Sequence, residues 1–301
     1  MFHLVHHPDY VVPAPPGSPY PFGKHGMVML ALRNSGAAFA EHVPEPMPRR
    51  WLEAVHHPAY VAEVLGLSVP REKERRIGFP VTAAVARRSQ LAPGGTWLAA
   101  RLALDHGFAA NTAGGSHHAL ADTGAGYCVF NDLALAAHRL LAEGDVRRLL
   151  IVDLDVHQGD GTAMLLAGRD EAFTFSMHGA KNFPARKARS DLDVALPDGT
   201  GDQAYLDALA RHLPVAIERA RPDLILYQAG VDPHAEDRLG RLGLSDAGLV
   251  ARDRFVMRRA AAAGIPLASV LGGGYDRELP AVTARHVRSV LTLAEASSAR
   301  P

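Results

Sequence analysis

Short apolar runs of β type recur through this chain and are separated by longer stretches of helical type, and this alternation limits the fold more than any other feature. The runs LLIVD (149–153), FTFSMH (173–178), LILYQ (224–228) and IPLASVL (265–271) each give way to a glycine, aspartate or histidine cluster before the next helix-like segment. Continuous apolar strands flanked by helices indicate a mostly parallel sheet covered on both faces. In such a sheet, functional groups gather beyond the carboxyl ends of the strands.

The predicted elements follow from that reading. FHLVHH (2–7) reads as a first strand, and the proline-dense stretch 11–23 reads as a surface loop. Helices are expected over 26–40, 58–67, 80–91 and 94–107, then a strand at 108–113 and a helix at 131–143. The strand at 149–154, a short helix at 161–168, the strand at 173–178 and a helix at 202–220 come next. The strand at 223–229, a helix at 245–263, the strand at 265–271 and a helix at 279–296 complete the pattern. No repeat or linker divides the chain, so the expectation is one α/β domain over residues 1–301 with a single sheet.

The end of the run LLIVDLDVHQGDG (149–161) carries the first chemical signal. Asp155 and His157 are two residues apart after a strand, and such side chains point the same way. A carboxylate and an imidazole on one face can share a divalent ion, although Asp and His at a strand end are also ordinary loop residues. DLILYQAGVDPHAEDRLG (223–240) repeats the arrangement and ends in Asp232. If the two strands are neighbours, Asp232 joins the pair and leaves one coordination position open, as catalytic zinc requires; otherwise Asp232 simply initiates the Asp-Pro turn.

Further polar groups sit at other strand ends. His117 and His118 follow Gly114 and Gly115 and precede Gly124 and Gly126, in a segment whose glycines let backbone approach a ligand. Tandem histidines are also common on solvated surfaces, and the pairs His6–His7 and His56–His57, each before a proline, read as turn residues. Asp153 and Asp160 are placed to fix the tautomer of a nearby imidazole. Ser176 offers a hydroxyl beside the metal strand, and Tyr275 follows three glycines in LGGGYDRE, either as packing or as a donor to a developing oxyanion.

Composition excludes some classes. The 32 basic and 32 acidic residues cancel, so net charge gives no support for nucleic-acid or anionic-membrane capture. One cysteine, Cys128, rules out an internal disulfide framework, and neither a signal peptide nor a membrane-spanning stretch is evident, which leads to the expectation of a cytoplasmic protein.

The segments GGSHHALADTGAGYCVFND, VDLDVHQGDGT, AGVDPHAEDRLGRLGLS and LGGGY, in this order, strongly resemble the zinc-dependent histone deacetylases of the arginase/deacetylase superfamily, over about residues 95–295. The region from Ala229 to Asp253 is most similar to the class IV branch and its bacterial relatives, although animal class IV members have Asn where this chain has Asp160. Most other classes have four glycines before the tyrosine where this chain has three. The resemblance implies zinc on Asp155, His157 and Asp232, and because a mixed carboxylate and imidazole site does not choose sharply, Fe²⁺ fits there as well. It also implies His118 as general base oriented by Asp160, and His117, oriented by Asp153, as the group that stabilises the oxyanion or protonates the leaving amine. Tyr275 corresponds to the phenol that polarises the scissile carbonyl. A potassium ion is implied at Asp153, Asp155, His157, Ser176 and Met177, and an acyl-lysine channel at Gly126, Tyr127 and Phe183.

The implied substrate is an acyl-lysine in a protein or peptide. Small acylated amines such as acetylpolyamines would use the same groups, and an inactive acyl-lysine binding module is a third reading, disfavoured by the presence of both histidines and Tyr275. The arginase-type alternative needs a bridged metal pair with additional aspartates, which the chain does not supply. Two carboxylate ligands would nearly cancel a zinc ion's charge and limit how far it acidifies water, so a separate base is required.

Overall fold

The computed structural model describes residues 1–14, 20–276 and 278–298. Residues 15–19 of the proline-dense loop and Arg277 of LGGGYDRE lie outside the described residues. The chain begins with strand β1 (Phe2–Val5), helix α1 (Lys24–Arg33), β2 (Phe39–His42), α2 (Arg49–Val55), α3 (Pro58–Leu65) and α4 (Arg71–Ile77). It continues with α5 (Ala83–His106), β3 (Phe108–Asn111), α6 (Asp132–Glu143), β4 (Leu149–Asp153), α7 (Asp160–Leu166), β5 (Ala172–Gly179) and β6 (Leu192–Leu196). The last elements are α8 (Asp202–Ala220), β7 (Leu224–Gln228), α9 (Asp246–Ala262), β8 (Leu267–Val270) and α10 (Leu279–Ser298).

All pairings among the eight strands are parallel, in the order β2-β1-β3-β8-β7-β4-β5-β6. The result is one α/β domain with a single parallel sheet flanked by helices, as the alternation of segments leads one to expect. The strand β4 shows why it is stable. Leu150 and Val152 enter one apolar layer with Leu213 of α8 and Val256 of α9, while Leu149 and Ile151 enter the other with Ala99 of α5 and Leu133 of α6. Each fully buried side chain of this kind contributes about 1.5–3 kcal/mol.

Several boundaries differ from the sequence-based expectation. The helix expected over 26–40 stops at Arg33, because Gly36 adopts a left-handed φ of 76° and Phe39–His42 pairs with β1. The helices expected over 80–91 and 94–107 form one continuous α5 through Pro93. Met47 donates its N–H to the Gln90 carbonyl at 2.8 Å, just where the proline disturbs the helix. Gly94 and Gly95 act there as clearance rather than as breakers: a Cβ on Gly94 would lie 1.9 Å from the Glu45 carbonyl oxygen and one on Gly95 2.0 Å from the Tyr10 hydroxyl. His57 caps α3 by accepting from Ala59 N–H, as a turn residue should, but His56 is buried and belongs to the core instead. The elements α2, α4, β2 and β6 were not anticipated.

Candidate active site and metal centre

Asp153 closes β4, so Asp155 and His157 fall in the segment just beyond it, and Asp232 falls just beyond β7, the hydrogen-bonded neighbour of β4. The three side chains are buried together, with one ligand-type atom from each within 4.8 Å of the others. His157 Nδ1 lies 3.0 Å from Asp155 Oδ1 and 3.2 Å from Asp232 Oδ2. Donor atoms each about 2.0 Å from one tetrahedral ion are about 3.3 Å apart, so this spacing fits a shared metal.

Three further observations test that fit. Asp232 Oδ2 is buried with no hydrogen-bond partner, an arrangement that costs free energy unless a cation compensates it. The remaining oxygens are held by backbone: Gly273 N–H donates to Asp155 Oδ2 at 2.9 Å and Val156 N–H to Asp232 Oδ1 at 2.9 Å. Glycine is required around the cluster, since a Cβ on Gly273 would lie 1.9 Å from Asp232 Oδ2 and one on Gly230 2.3 Å from Asp155 Oδ2. Two carboxylates and an imidazole are a donor set that holds Zn²⁺ or Fe²⁺.

His117 and His118 stand beside this cluster, with ring centroids 4.1 Å apart. His117 Nδ1 is 2.7 Å from Asp153 Oδ2, and His118 Nδ1 is 2.6 Å from Asp160 Oδ1. In each pair the carboxylate fixes Nδ1 as the protonated nitrogen and leaves Nε2 for chemistry. Their environments separate the two imidazoles. Burial lowers the pKa of both, but the Asp153 and Asp155 charges overcome it at His117 and push it up to about 9. At His118 burial and the neighbouring His117 prevail, and the value falls to about 4. Two adjacent imidazoles are thus driven in opposite directions by their surroundings.

Burial also pushes the Asp232 carboxyl up to about 7, with the Asp155 charge acting in the same direction. Asp155 is held well below the usual carboxylate range, because His117 and His157 outweigh its burial. A dication between the two would favour the ionised form of each.

A cavity of about 430 Å³ opens over these groups and is lined by His118, Gly126, Tyr127, His157, Phe183 and Tyr275 among others. Gly126 has a φ of 52°, and a Cβ there would lie 2.6 Å from His118 Cδ2 and 3.2 Å from Phe183 Cε1, so only glycine leaves the passage open. The Phe183 ring meets His118 edge-on at 4.8 Å, and the Tyr275 ring meets His157 edge-on at 6.3 Å. Burial and the Asp155 and Asp232 charges hold the Tyr275 phenol well above its usual pKa, so it remains a protonated donor. Asp153 pairs in register with Ser176, and buried Met177 follows on β5. A separate cleft of about 480 Å³ between α9 and α10 contains Arg254, Arg285 and Arg288 but none of these groups.

The histone deacetylase domain family matches residues 22–291 of this sequence. The chain belongs to the histone deacetylase family. It is 46% identical over 287 residues to an uncharacterised protein of Picosynechococcus sp., covering 95% of this chain and 96% of that one. It is 36% identical over 200 residues to histone deacetylase 2 of Arabidopsis thaliana, covering 65% of this chain and 52% of the plant protein. Among solved structures, the acetylpolyamine aminohydrolase of Burkholderia pseudomallei superposes with a TM-score of 0.83 at 18% identity, covering 98% of this chain and 99% of that one, a likeness of fold. Membership makes this chain a hydrolase of the histone deacetylase family. Among the described residues, no helix is long and apolar enough to cross a membrane.

Three residues of this family member that support the site escaped the sequence reading. Gln228, at the end of β7, donates to the Gly115 carbonyl at 3.0 Å and reaches Asp155 Oδ2 at 3.4 Å. Asp237 accepts backbone N–H groups from Leu239, Gly240 and Tyr275. Arg252 is fully buried behind the metal strands, where Nη1 donates to the Gly230 carbonyl at 2.6 Å and the Leu154 carbonyl at 3.3 Å. A glutamine closing an otherwise apolar strand was the available signal for the first.

Proposed function

We propose that the chain is a metal-dependent amidohydrolase that removes an acyl group from N-acylated lysine, with Asp155, His157 and Asp232 holding one Zn²⁺ or Fe²⁺ ion. The observation that carries this reading is that His157 of the buried trio, His118 of the two Asp-paired histidines, and Tyr275 line one cavity, with Asp155, Asp232 and His117 clustered against them. The bound ion would polarise the amide carbonyl and acidify a water molecule. His118, neutral at physiological pH, takes the proton from the attacking water through Nε2 while Asp160 stabilises the imidazolium that forms. The Tyr275 hydroxyl donates to the oxyanion of the tetrahedral intermediate. His117, which the Asp153 and Asp155 carboxylates hold in the protonated form against its burial, stabilises the same charge, and a histidine of this dyad delivers the proton that lets the lysine amine leave. Gly126, Tyr127 and Phe183 confine the aliphatic stem of the substrate. Asp153, Asp155, His157, Ser176 and Met177 would hold a structural K⁺ beside the reacting centre.

A small acylated amine would engage the same machinery, and one fold neighbour is named for acetylpolyamines. The test is release of free lysine amine from an acetyl-lysine peptide by metal-loaded and chelator-treated protein. Turnover that requires the metal supports the reading, and a metal-loaded protein that hydrolyses neither acyl-lysine peptides nor acylated amines rejects it.

A further inference from the structure

The mouth of the cavity carries one sign of charge. Arg76 at the end of α4, Lys181 in the β5–β6 connection and Arg241 all line it, and no carboxylate shares that lining. Arg238, next to channel-lining Leu239, is close enough to Tyr127 for its charge to oppose the rise in phenol pKa that burial causes. Asp198 answers two of these cations with a single oxygen, Oδ2 lying 3.7 Å from Lys181 Nζ and 3.2 Å from Arg241 Nη1. Arg76 and Arg238 are exposed and make no ion pair among the described residues. In α4, Glu72 lies one turn before Arg76 without forming an ion pair with it, and Glu74 is engaged by the Val81 N–H at 2.7 Å. Four cations thus gather at this mouth with Asp198 as their one ion-paired carboxylate among the described residues, in a chain whose formal net charge is zero, so the positive charge is a local concentration.

A substrate whose amide lies at the metal trio threads its alkyl stem past Tyr127 and Phe183, so the atoms flanking the amine end among Arg76, Lys181, Arg238 and Arg241. Low-dielectric channel walls focus the field of such a ring on whatever enters. A polyamine would bring additional ammonium groups against those cations, and like charges so placed suppress a partner.

Building on the amidohydrolase reading of this channel, we infer that the acylated amine it accepts carries carboxylate charge beside the reacting chain, and that polycationic acylamines are disfavoured. Acidic side chains flanking an acyl-lysine in a peptide supply that charge, as does the α-carboxylate of free Nε-acyl-lysine.

The test compares labelled acetyl-lysine peptides flanked by Asp and Glu or by Lys and Arg, bound to metal-loaded protein and followed by fluorescence anisotropy. The expected result is at least about tenfold tighter binding of the acidic peptide at low salt, with the ratio falling severalfold at high salt as screening sets in. The double variant Arg76→Glu, Arg238→Glu should reverse the order, and Arg76→Gln, Arg238→Gln should bring the two peptides together. Equal binding, preference for the basic peptide, or a preference unchanged by charge reversal overturns the inference. Parallel kcat/KM measurements on the two peptides, free Nε-acetyl-lysine and acetylspermidine separate the sources. Free acetyl-lysine matching the acidic peptide identifies the α-carboxylate, a rate for the peptide alone identifies flanking side chains, and acetylspermidine as the best substrate overturns the inference. Because binding is read without turnover, a protein that hydrolyses none of these refutes the amidohydrolase reading while the anisotropy order still decides the charge preference.

Discussion

Asp237 Oδ2 accepts the backbone N–H of Tyr275 at 2.6 Å, which ties the segment after β7 to the segment after β8. Its other oxygen accepts Leu239 and Gly240 N–H groups at 2.8 and 2.9 Å. One buried carboxylate thus holds both the channel wall and the backbone that presents the phenol. Asp237→Ala should lower stability by about 1–3 kcal/mol and reduce kcat more than it raises KM. Thermal unfolding together with steady-state kinetics checks this, and a variant with the native melting point and native kcat would remove Asp237 as a positioning residue.

Tyr275→Phe removes only the donor. Loss of one oxyanion donor typically lowers the rate about 10²- to 10³-fold, so the variant should keep its metal and lose most turnover. Near-normal kcat with full metal content would refute the role assigned to the phenol.

Arg252 is fully buried. Its guanidinium bonds the carbonyls of Leu154 and Gly230, each close to a proposed metal ligand, and its Nε lies 2.9 Å from Asp253 Oδ1, which also accepts the Tyr227 hydroxyl at 2.6 Å. Breaking a buried pair strands its partner, so Arg252→Ala should cost about 3–5 kcal/mol. Replacing Arg252 and Asp253 together by Met and Leu should cost less. Denaturant unfolding of the single and double variants decides, and a double variant no more stable than Arg252→Ala would contradict the explanation.

His56 sets a pH dependence remote from the metal. Its ring lies 2.8 Å from the Leu120 carbonyl through Nδ1, and Nε2 accepts the Asn131 N–H at 3.0 Å, an arrangement that requires the neutral form. Burial lowers its pKa from 6.5 to about 4, with the backbone carbonyls of Leu120 and Ala121 opposing. The unfolded chain therefore binds the proton first as pH falls. The neutral ring's contribution is complete above about pH 6.5 and is lost as the pH drops through about 4, reaching at most ~3 kcal/mol over that interval. Stability measured at pH 7 and pH 5 should fall less for His56→Gln than for the native chain, and identical slopes would refute the assignment.

The strand-to-site logic was legible because it depends on residues close in sequence. Asp155 and His157 follow one apolar run, Asp232 follows another, and parallel neighbours must bring such ends together. The pairs His117–Asp153 and His118–Asp160 needed the resemblance to a family, since nothing in spacing alone selects a carboxylate from a distant segment. Edge strands β2 and β6 are half exposed and lack a full apolar run, and α4 (REKERRI) buries only Ile77, so neither periodicity nor composition announced them. Pro93, Gly94 and Gly95 read as a break, yet the close approach of Glu45 and Tyr10 makes them part of a continuous helix. Arg252 sits in the charged run ARDR, where only the tertiary structure shows that one arginine points inward.

Asp155, His157 and Asp232 are proposed to grip one catalytic ion. Metal content of protein dialysed against zinc and then against metal-free buffer, measured by mass spectrometry for the native chain and for Asp232→Ala, tests it most directly. The native chain should retain one ion and the variant essentially none. Equal content in the two proteins, or a native chain that retains no metal, would contradict it.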